Sequence, residues 1–210
     1  MRVRPVSFDL LVEELADRLA GERAGGRARV AVDGAAAAHP GRLADALVDP
    51  LRVRGRPVVR VDTGDFLRPA SVRLEFGRRN PEAFYAGWLD ESALRREVLD
   101  PAGPGGSGRV VTRLWDARTD RATRQPYAEL PPDAVVVVSG PLLLGAGLPF
   151  EVTVHLSLSA AALARRTAPE DRWTLPAYAR YVDEVNPASF ADVVVRMDDP
   201  RHPALLLDRL

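Results

Sequence analysis

The feature that most constrains the fold is a continuous β-branched run, AVVVVSG, at residues 134–140. Its four consecutive valines show no polar alternation, so a strand made of them must be covered by protein on both faces. Such strands are typical of parallel sheets, in which crossover connections place helices on either side. The sequence therefore predicts an α/β fold built around a central strand at this position.

Shorter apolar runs alternate with segments of helical periodicity along the rest of the chain. Strands are predicted at residues 28–33, 57–62, 150–158 and 191–197, and helices at residues 7–20, 40–48, 81–88, 91–99, 159–168, 175–186 and 203–210. Residues 110–116 are predicted to form an exposed strand that pairs with the segment near 122–130. This alternation predicts a three-layer sandwich around a mostly parallel sheet, a fold that binds ligands at the carboxyl ends of its strands.

The composition excludes several classes of function. The 210 residues include 29 basic and 29 acidic side chains, so no bulk charge predicts binding to nucleic acid or to a membrane surface. There is no cysteine and there are only three histidines, so neither a disulfide nor a metal site is predicted. The first residues form an amphipathic segment unlike a signal peptide, and no apolar run approaches the ~20 residues that span a bilayer. A cytoplasmic protein is therefore expected.

All the basic side chains apart from histidine are arginines, and the sequence contains no lysine. A lysine ammonium is a compact clamp for phosphate, and the planar guanidinium of arginine does not reproduce its geometry. Any phosphate chemistry of this chain must therefore use arginines or backbone groups.

Residues 29–41, RVAVDGAAAAHPG, have the strand, glycine turn and helix of a phosphate-binding loop. Counted from Gly34, the positions that would carry Gly-Lys-Ser/Thr are His39, Pro40 and Gly41. The second glycine, the lysine and the hydroxyl are thus replaced, and Pro40 also removes an amide donor from the start of the helix. His39 is either a phosphate contact or a solvated cap. The alternative for the whole segment is an ordinary strand-to-helix connection.

The order of the segments resembles the uridine kinase branch of P-loop nucleoside kinases, whose relatives include phosphoribulokinase and bacterial pantothenate kinase. The segments that carry the resemblance are VAVDG, DFLRPASVRLEFGRRNPEAFY, LDESALRREVLDP, LWDARTD, VVVVSGPLLL, ARRTAPEDRW and DEVNPASFADVVVRMDDP. The resemblance implies one P-loop domain over residues 1–210, with a substrate and hairpin insertion at about residues 64–130 and a lid at about residues 159–175. It also implies a nucleoside or nucleotide as the ligand, with ATP and Mg²⁺ as cofactors if the protein is active. An assembly of several copies stays open.

Candidate site residues follow from the same resemblance. Asp65 is the candidate catalytic base, and the alternative is a loop carboxylate paired with Arg68. The phosphate-binding candidates are Gly34, Ala38, His39, Gly41, Arg42, Arg165, Arg166 and Arg172. The substrate-binding candidates are Asp62, Arg68, Arg79, Phe84, Tyr85 and Trp88. The alternatives are a solvated helix face for the lid arginines and a hydrophobic core for the aromatic side chains.

The chain departs from the family pattern at the loop and at three further positions. Gly64 stands where the family has an aspartate two residues before a phenylalanine, Ser139 where it has an acidic residue, and Arg79 where it has an aspartate two residues before a proline. Phosphoryl transfer depends on positioning and charge neutralisation, and the loss of one electrostatic element commonly costs ~10²–10³ in rate.

Three functions therefore stay open. The first is a kinase that uses arginines in place of the lysine. The second, which the departures favour, is a pseudokinase with a degenerate loop that binds a nucleoside, nucleotide or other anion. The third is an interaction or regulatory module with a vestigial pocket.

Overall fold

A computed structural model of the protein describes residues 3–23 and 25–206. The strands within these residues are β1 (Val3–Pro5), β2 (Ala28–Gly34), β3 (Val58–Asp62), β4 (Arg109–Val110), β5 (Trp115–Asp116), β6 (Arg121–Ala122), β7 (Ala128–Glu129), β8 (Val135–Gly140), β9 (Val152–Ser157), β10 (Val193–Arg196) and β11 (Ala204–Leu206). The α-helices are α1 (Phe8–Gly21), α2 (Pro40–Ala46), α3 (Val48–Val53), α4 (Ala70–Arg73), α5 (Pro81–Gly87), α6 (Glu91–Leu94), α7 (Asp100–Ala102), α8 (Ala160–Arg166), α9 (Leu175–Val185) and α10 (Pro187–Phe190). A π-helix (Arg95–Leu99) joins α6 to α7, and 3₁₀ turns lie at Ala36–Ala38, Thr63–Phe66 and Pro169–Thr174. No helix in the described ranges is long and apolar enough to cross a membrane.

Seven strands form one sheet in the order β1-β11-β10-β9-β2-β8-β3. The five strands from β10 to β3 run parallel to one another, whereas β11 and β1 add an antiparallel edge. Every residue of β2 and of β8 is buried, because both strands lie inside the sheet and are covered on both faces. This architecture confirms the predicted α/β sandwich with a mostly parallel sheet.

The two faces of the sheet bury separate apolar layers. Successive side chains of a strand point to opposite faces, so Val30 and Val32 of β2 pack under α1–α3, whereas Ala31 packs against the segment from α6 to α7. Helix α1 begins where the sequence predicts, because the Ser7 Oγ accepts a hydrogen bond of 3.1 Å from the Leu10 N–H. The carboxyl ends of β2, β3 and β8 come together beside the amino end of α2.

The predicted terminal helix at residues 203–210 is wrong over its described part. Residues 204–206 form β11, in which Leu205 pairs with Val195 of β10 and with Arg4 of β1. The leucine run favours a helix locally, but burial of Ala204 and Leu205 at the sheet edge decides the conformation. Residues 207–210 lie outside the described residues, and β1 was not predicted.

The predicted pairing of residues 110–116 with residues near 122–130 is confirmed as two short antiparallel ladders, but the single exposed strand predicted there is wrong, because Val110 and Val111 are buried and the pairing is interrupted after Val110. In one, Trp115 pairs with Ala122, and in the other Val110 pairs with Ala128. Both ladders lie in the region between the two parallel strands β3 and β8 along the chain.

The amino ends of the parallel strands form what we call the amino edge, where two arginines are buried. The Arg56 guanidinium donates to four backbone carbonyls, of Ala20, Glu22, Gly26 and Asp133. Arg29 donates to the Glu151 carboxylate at 2.6 and 3.0 Å and to the Leu99 carbonyl at 3.0 Å. These bonds connect the starts of several strands to the end of α1.

Candidate functional site

The phosphate-loop position follows β2 and closes on itself. Its 3₁₀ turn is held by the Ala38 N–H, which donates to the Ala35 carbonyl at 2.7 Å, and by the His39 N–H, which donates to the Ala36 carbonyl at 3.0 Å. A loop that cradles phosphates points such amides at the anion. Here two of them are already used inside the loop, and Pro40 has no N–H to offer.

His39 takes the position that the resemblance gives to the second glycine of the loop. Its backbone is left-handed, with φ 57° and ψ 55°, a conformation that glycine adopts without strain. Its side chain is exposed and makes no capping bond to α2. The local backbone bend is therefore kept, although the residue type has changed.

Gly34 and Gly41 differ in what a side chain would meet. A Cβ at Gly34 would lie 2.9 Å from the Leu156 Cβ and 3.1 Å from the Leu156 carbonyl oxygen, so only glycine fits. A Cβ at Gly41 would lie 3.9 Å from the Asp62 Oδ2 and 4.0 Å from the Ser139 Oγ, at ordinary contact distance. Gly41 thus faces the two strand ends that carry Asp62 and Ser139, and a hydroxyl-bearing side chain would fit there.

The two candidate carboxylates lie in different environments. Asp62 is exposed beside the loop, and its Oδ1 accepts the Gly64 N–H at 2.7 Å. Asp65 instead forms an ion pair with Arg113, at 2.8 Å from its Nε. Burial raises the pKa of Asp65, and Arg113 partly offsets this shift. Asp65 is thus bound to the hairpin region, and its partner is Arg113 rather than the Arg68 that the sequence suggested.

Ser139, at the end of β8, is bonded to an arginine that the sequence analysis did not single out. The Arg60 Nη2 donates to the Ser139 Oγ at 3.0 Å, and its Nη1 donates to the Val137 carbonyl at 2.9 Å. The Arg60 Nε also contacts the Asp45 carboxylate of α2 at 2.9 Å. A guanidinium therefore lies next to the position where the family has an acidic residue.

Two of the predicted substrate aromatics form a cluster with two aromatic residues of the lid side. Phe84 makes edge-to-face contacts with Trp88, Trp173 and Tyr178, with ring centroids 5.3–5.7 Å apart. Trp88 and Trp173 lie 5.5 Å apart. Burial raises the pKa of Tyr178 to about 12, and its hydroxyl accepts a long bond of 3.4 Å from the Ala36 N–H of the loop.

The cluster and the loop enclose a space that we call the front cavity, of about 400 Å³. Its lining includes Ala36, Ala37, His39, Phe84, Trp88, Arg166, Asp171, Trp173 and Tyr178. Tyr85 is not part of this lining, since its hydroxyl donates to Glu184 and its ring lies under the Arg180 guanidinium at 4.3 Å. The front cavity thus has one aromatic wall, formed by four rings, and its lining also includes one arginine and one carboxylate.

The candidate arginines are dispersed. Arg42 lies 4.3 Å from the ring centroid of Phe8 and so points toward α1. Arg166 donates to the Met197 carbonyl and lines the front cavity. Arg165, Arg172 and Arg79 are exposed, and Arg68 is half-buried. Of these side chains, only Arg166 is brought to the loop and the aromatic cluster.

Behind the loop lies a buried polar network that the sequence analysis missed. Asp33 is fully buried, and its carboxylate accepts bonds from the Leu143 N–H at 2.9 Å, the His155 Nδ1 at 2.6 Å and the Tyr181 hydroxyl at 3.2 Å. The Tyr181 oxygen in turn accepts the Leu144 N–H at 2.9 Å. Burial and the Asp33 carboxylate raise the pKa of Tyr181. Asp33 and His155 are direct partners in the β2–β9 ladder. The sequence feature that could have predicted this network is a polar side chain at each of these positions in two largely apolar strands.

Within residues 3–23 and 25–206, no three His, Asp or Glu side chains come close enough together to hold a metal ion. The residues at the loop also do not fit a magnesium–triphosphate complex, because the Ala38 and His39 amides are bonded within the loop and the loop carries neither an ammonium nor a hydroxyl.

Of three comparisons with known proteins, only the comparison with solved structures finds matches. No family model matches the sequence, and no curated protein matches it. The structure of a "Possible Uridine Kinase from Bacillus stearothermophilus" superposes with a TM-score of 0.71 at 18% identity, over 87% of this chain and 96% of the other. A "putative fructose transport system kinase from Silicibacter sp. TM1040" gives a TM-score of 0.60 at 23% identity, over 89% and 95% of the two chains.

A third structure, of the YGR205w protein, gives a TM-score of 0.53 at 12% identity, over 86% of this chain and 79% of the other. At these identities the likeness concerns the fold. The order of the strands, the loop after β2 and the superpositions agree with the resemblance read from the sequence, and the chain has the uridine kinase-like P-loop kinase fold.

Proposed function

We propose that the protein is a pseudokinase that binds a nucleoside in the front cavity and does not transfer phosphate. The observation that carries this proposal is the contrast between the two sides of the cavity. The Ala38 and His39 amides are hydrogen-bonded within the loop, so they do not face the cavity as free donors. The aromatic rings, in contrast, line the cavity and are accessible to a ligand. A base can stack on such a surface, and base–aromatic stacking contributes ~1–3 kcal/mol per base.

The loss of catalysis follows from the electrostatics of the site. An active P-loop neutralises the transferring phosphoryl group with amides, a lysine and a hydroxyl-bound magnesium ion. The chain contains no lysine, and Gly41 supplies no hydroxyl. Asp65, the candidate base, forms an ion pair with Arg113. Any remaining catalysis would have to come from arginines.

A second candidate function, an arginine-dependent kinase, is favoured by one observation. Arg60 places its guanidinium 3.0 Å from the Ser139 Oγ, on the face of the sheet that carries Asp62 and α2. Its remaining contacts with Asp45 and the Val137 carbonyl compete for that cation. This function predicts phosphorylated nucleoside in proportion to the amount of enzyme.

Calorimetric and thermal-shift titrations with uridine, cytidine, ADP and ATP, with and without Mg²⁺, test the proposal. We expect a nucleoside to raise the unfolding temperature, because a ligand that binds only the native state stabilises it, and we expect Mg²⁺ to change nothing. Product formation that scales with enzyme concentration would establish the arginine-dependent kinase instead. If no ligand stabilises the protein, the cavity is vestigial and the interaction module is the better conclusion.

A matched pair of tryptophan variants locates the binding. Trp173→Leu removes a ring from the front cavity. It is expected to weaken nucleoside binding by about tenfold or more, which corresponds to the lower part of the free-energy range for one base–aromatic stacking contact. Trp115→Leu removes a ring from the β5–β6 ladder, outside the cavity, and is expected to leave the affinity unchanged. Equal effects of the two variants would contradict binding at the aromatic cluster.

A further inference from the structure

A second cavity, which we call the back pocket, lies between α8, α9 and the carboxyl end of β9. Its volume is about 360 Å³, and it shares the side chain of Tyr178 with the front cavity. Its walls are largely apolar and include Leu156, Leu158, Leu163 and Leu175. A cavity of this size and character, with few polar groups, has the general features of a small-molecule site.

The imidazole of His155 offers the back pocket a polar atom that no described residue bonds to. His155 lines the pocket, and its Nδ1 lies 2.6 Å from the Asp33 carboxylate. Because the same carboxylate accepts from Tyr181 and from the Leu143 N–H, it acts as an acceptor throughout, and the Nδ1 carries the proton. Among the described residues, nothing bonds to the His155 Nε2. Every buried side-chain nitrogen or oxygen in these residues does have a partner, so the unbonded Nε2 is not buried. Because His155 lines the back pocket, this nitrogen is accessible from it.

The other polar groups of the back pocket do not offer a cation. The hydroxyls of Tyr178 and Tyr181 are engaged with the Ala36 N–H and with the Asp33 network. Asp183 is an exposed carboxylate at the pocket, and no arginine is among the described residues that line it. A carboxylate ligand would therefore face both Asp183 and Asp33, and an ammonium ligand would have to give up its hydration among largely apolar walls.

A hydroxyl group avoids both conflicts. It donates to the Nε2 of a neutral imidazole and accepts from the N–H of a protonated one, so it pairs with His155 in either state. It also carries no charge to desolvate on entering apolar walls. We propose that the back pocket binds an uncharged apolar alcohol, whose hydrocarbon body packs among the leucines and whose hydroxyl bonds to the His155 Nε2.

The test uses the full chain without nucleoside or nucleotide, so that its outcome is separate from that of the pseudokinase proposal. The probes are 1-octanol, octanoate and octylammonium, which share a hydrocarbon body and differ in the head group. The imidazole nitrogens of His39, His155 and His202 are the three histidine reporters in NMR titrations. We expect 1-octanol to shift the His155 Nε2 resonance saturably, at an affinity at least tenfold higher than that of either charged probe.

A matched pair of variants on α8 controls for location. Ala164 and Ala161 are both exposed, but only Ala164 lines the back pocket. Ala164→Trp is expected to fill the pocket and to weaken 1-octanol binding at least tenfold, whereas Ala161→Trp is expected to leave it unchanged. The proposal is overturned if the His155 resonance does not move, if its shift grows without saturation, if a charged probe binds as tightly as 1-octanol, or if both variants act alike.

Discussion

The two ends of the parallel strands differ in the burial and bonding of their polar side chains. At the amino edge, Arg56 is 5% exposed and donates to four carbonyls, and Arg29 is bonded to Glu151 and to a carbonyl. At the carboxyl end, His39 and Asp62 are exposed, and one side of the space between the strand ends and the lid is aromatic. The amino edge is thus organised for stability, while the carboxyl end keeps an accessible cavity.

At one end a change of residue type is expected to alter folding, and at the other end it is expected to alter binding. A guanidinium that is buried among carbonyls cannot be removed without leaving acceptors unpaired. A side chain that projects into an open cavity can be changed at little structural cost. Residue types at the loop can therefore vary while the fold persists.

The largest effect is expected at the amino edge, from Arg56→Met. The substitution keeps much of the apolar length but leaves four carbonyls without their donor, and each unsatisfied buried group costs ~1–3 kcal/mol. We expect a loss of about 3 kcal/mol or more in the free energy of unfolding, measured by urea titration. The control is Arg52→Met. The Arg52 side chain is 60% exposed, and its one ion pair, with Asp49 at 3.5 Å, lies at the surface, so this variant should cost under about 0.5 kcal/mol. Similar losses from the two variants would contradict the structural role of the amino edge.

A smaller effect separates two tyrosines at the carboxyl end. Tyr181→Phe removes the acceptor of the Leu144 N–H and a donor to Asp33, and should cost about 2 kcal/mol in unfolding free energy. Tyr178→Phe removes a single bond of 3.4 Å to the Ala36 N–H, so less than about 1 kcal/mol is expected. Urea unfolding of both variants compares them directly. If Tyr178→Phe is the more destabilising, the Asp33 network is not the stabilising feature behind the loop.

The carboxyl end can also be rebuilt. The triple variant His39→Gly, Pro40→Lys and Gly41→Thr restores an ammonium and a hydroxyl, and the space at Gly41 admits a side chain. We expect affinity for Mg²⁺–ATP to rise at least tenfold, or about 1.4 kcal/mol, by calorimetry. The matched control carries alanine in place of the new lysine, Pro40→Ala with the same two partners, and should gain less. Absence of nucleotide binding in both would show that the site has changed beyond the loop.

The smallest expected effect is a pH dependence at the amino edge. Burial alone would raise the pKa of Glu151, but the hydrogen bonds and charge of Arg29 lower it overall. Because the folded pKa lies below the unfolded value of about 4.3, the stabilisation is complete above that pH and is lost as the pH falls toward the folded pKa.

Glu151→Gln should therefore cost about 1 kcal/mol at pH 7, a figure reduced for partial exposure, and the difference from the parent protein should shrink toward about pH 3. Urea titrations at several pH values measure it, with Glu129→Gln, at an 84% exposed side chain, as the control. A difference that does not change with pH would exclude the linkage.

Much of the fold was predictable because it depends on local periodicity. The valine run of β8, the apolar run of β2 and the Ser7 cap of α1 all form where the sequence places them. The leucines of β11 were misassigned, since their conformation depends on the free edge that β10 offers. The candidate site was predicted less completely. Phe84 and Trp88 stay candidates, and the structure packs them against Trp173, which lies about 85 residues further along the chain and has no local signal.

The amino-acid sequence is enough to establish that this chain has no lysine, that residue 41 carries no hydroxyl, and that its strand–loop–helix order resembles that of a P-loop kinase. Those conclusions need only residue types and their spacing. Three contacts depend on the tertiary structure: the Ala38 and His39 amides donate to carbonyls of their own loop, Asp65 pairs with Arg113, and Asp33 is bonded to His155 behind the loop. These depend on hydrogen-bond partners that are distant in sequence, and such partners are chosen by packing, because a buried polar group must find one wherever the fold supplies it.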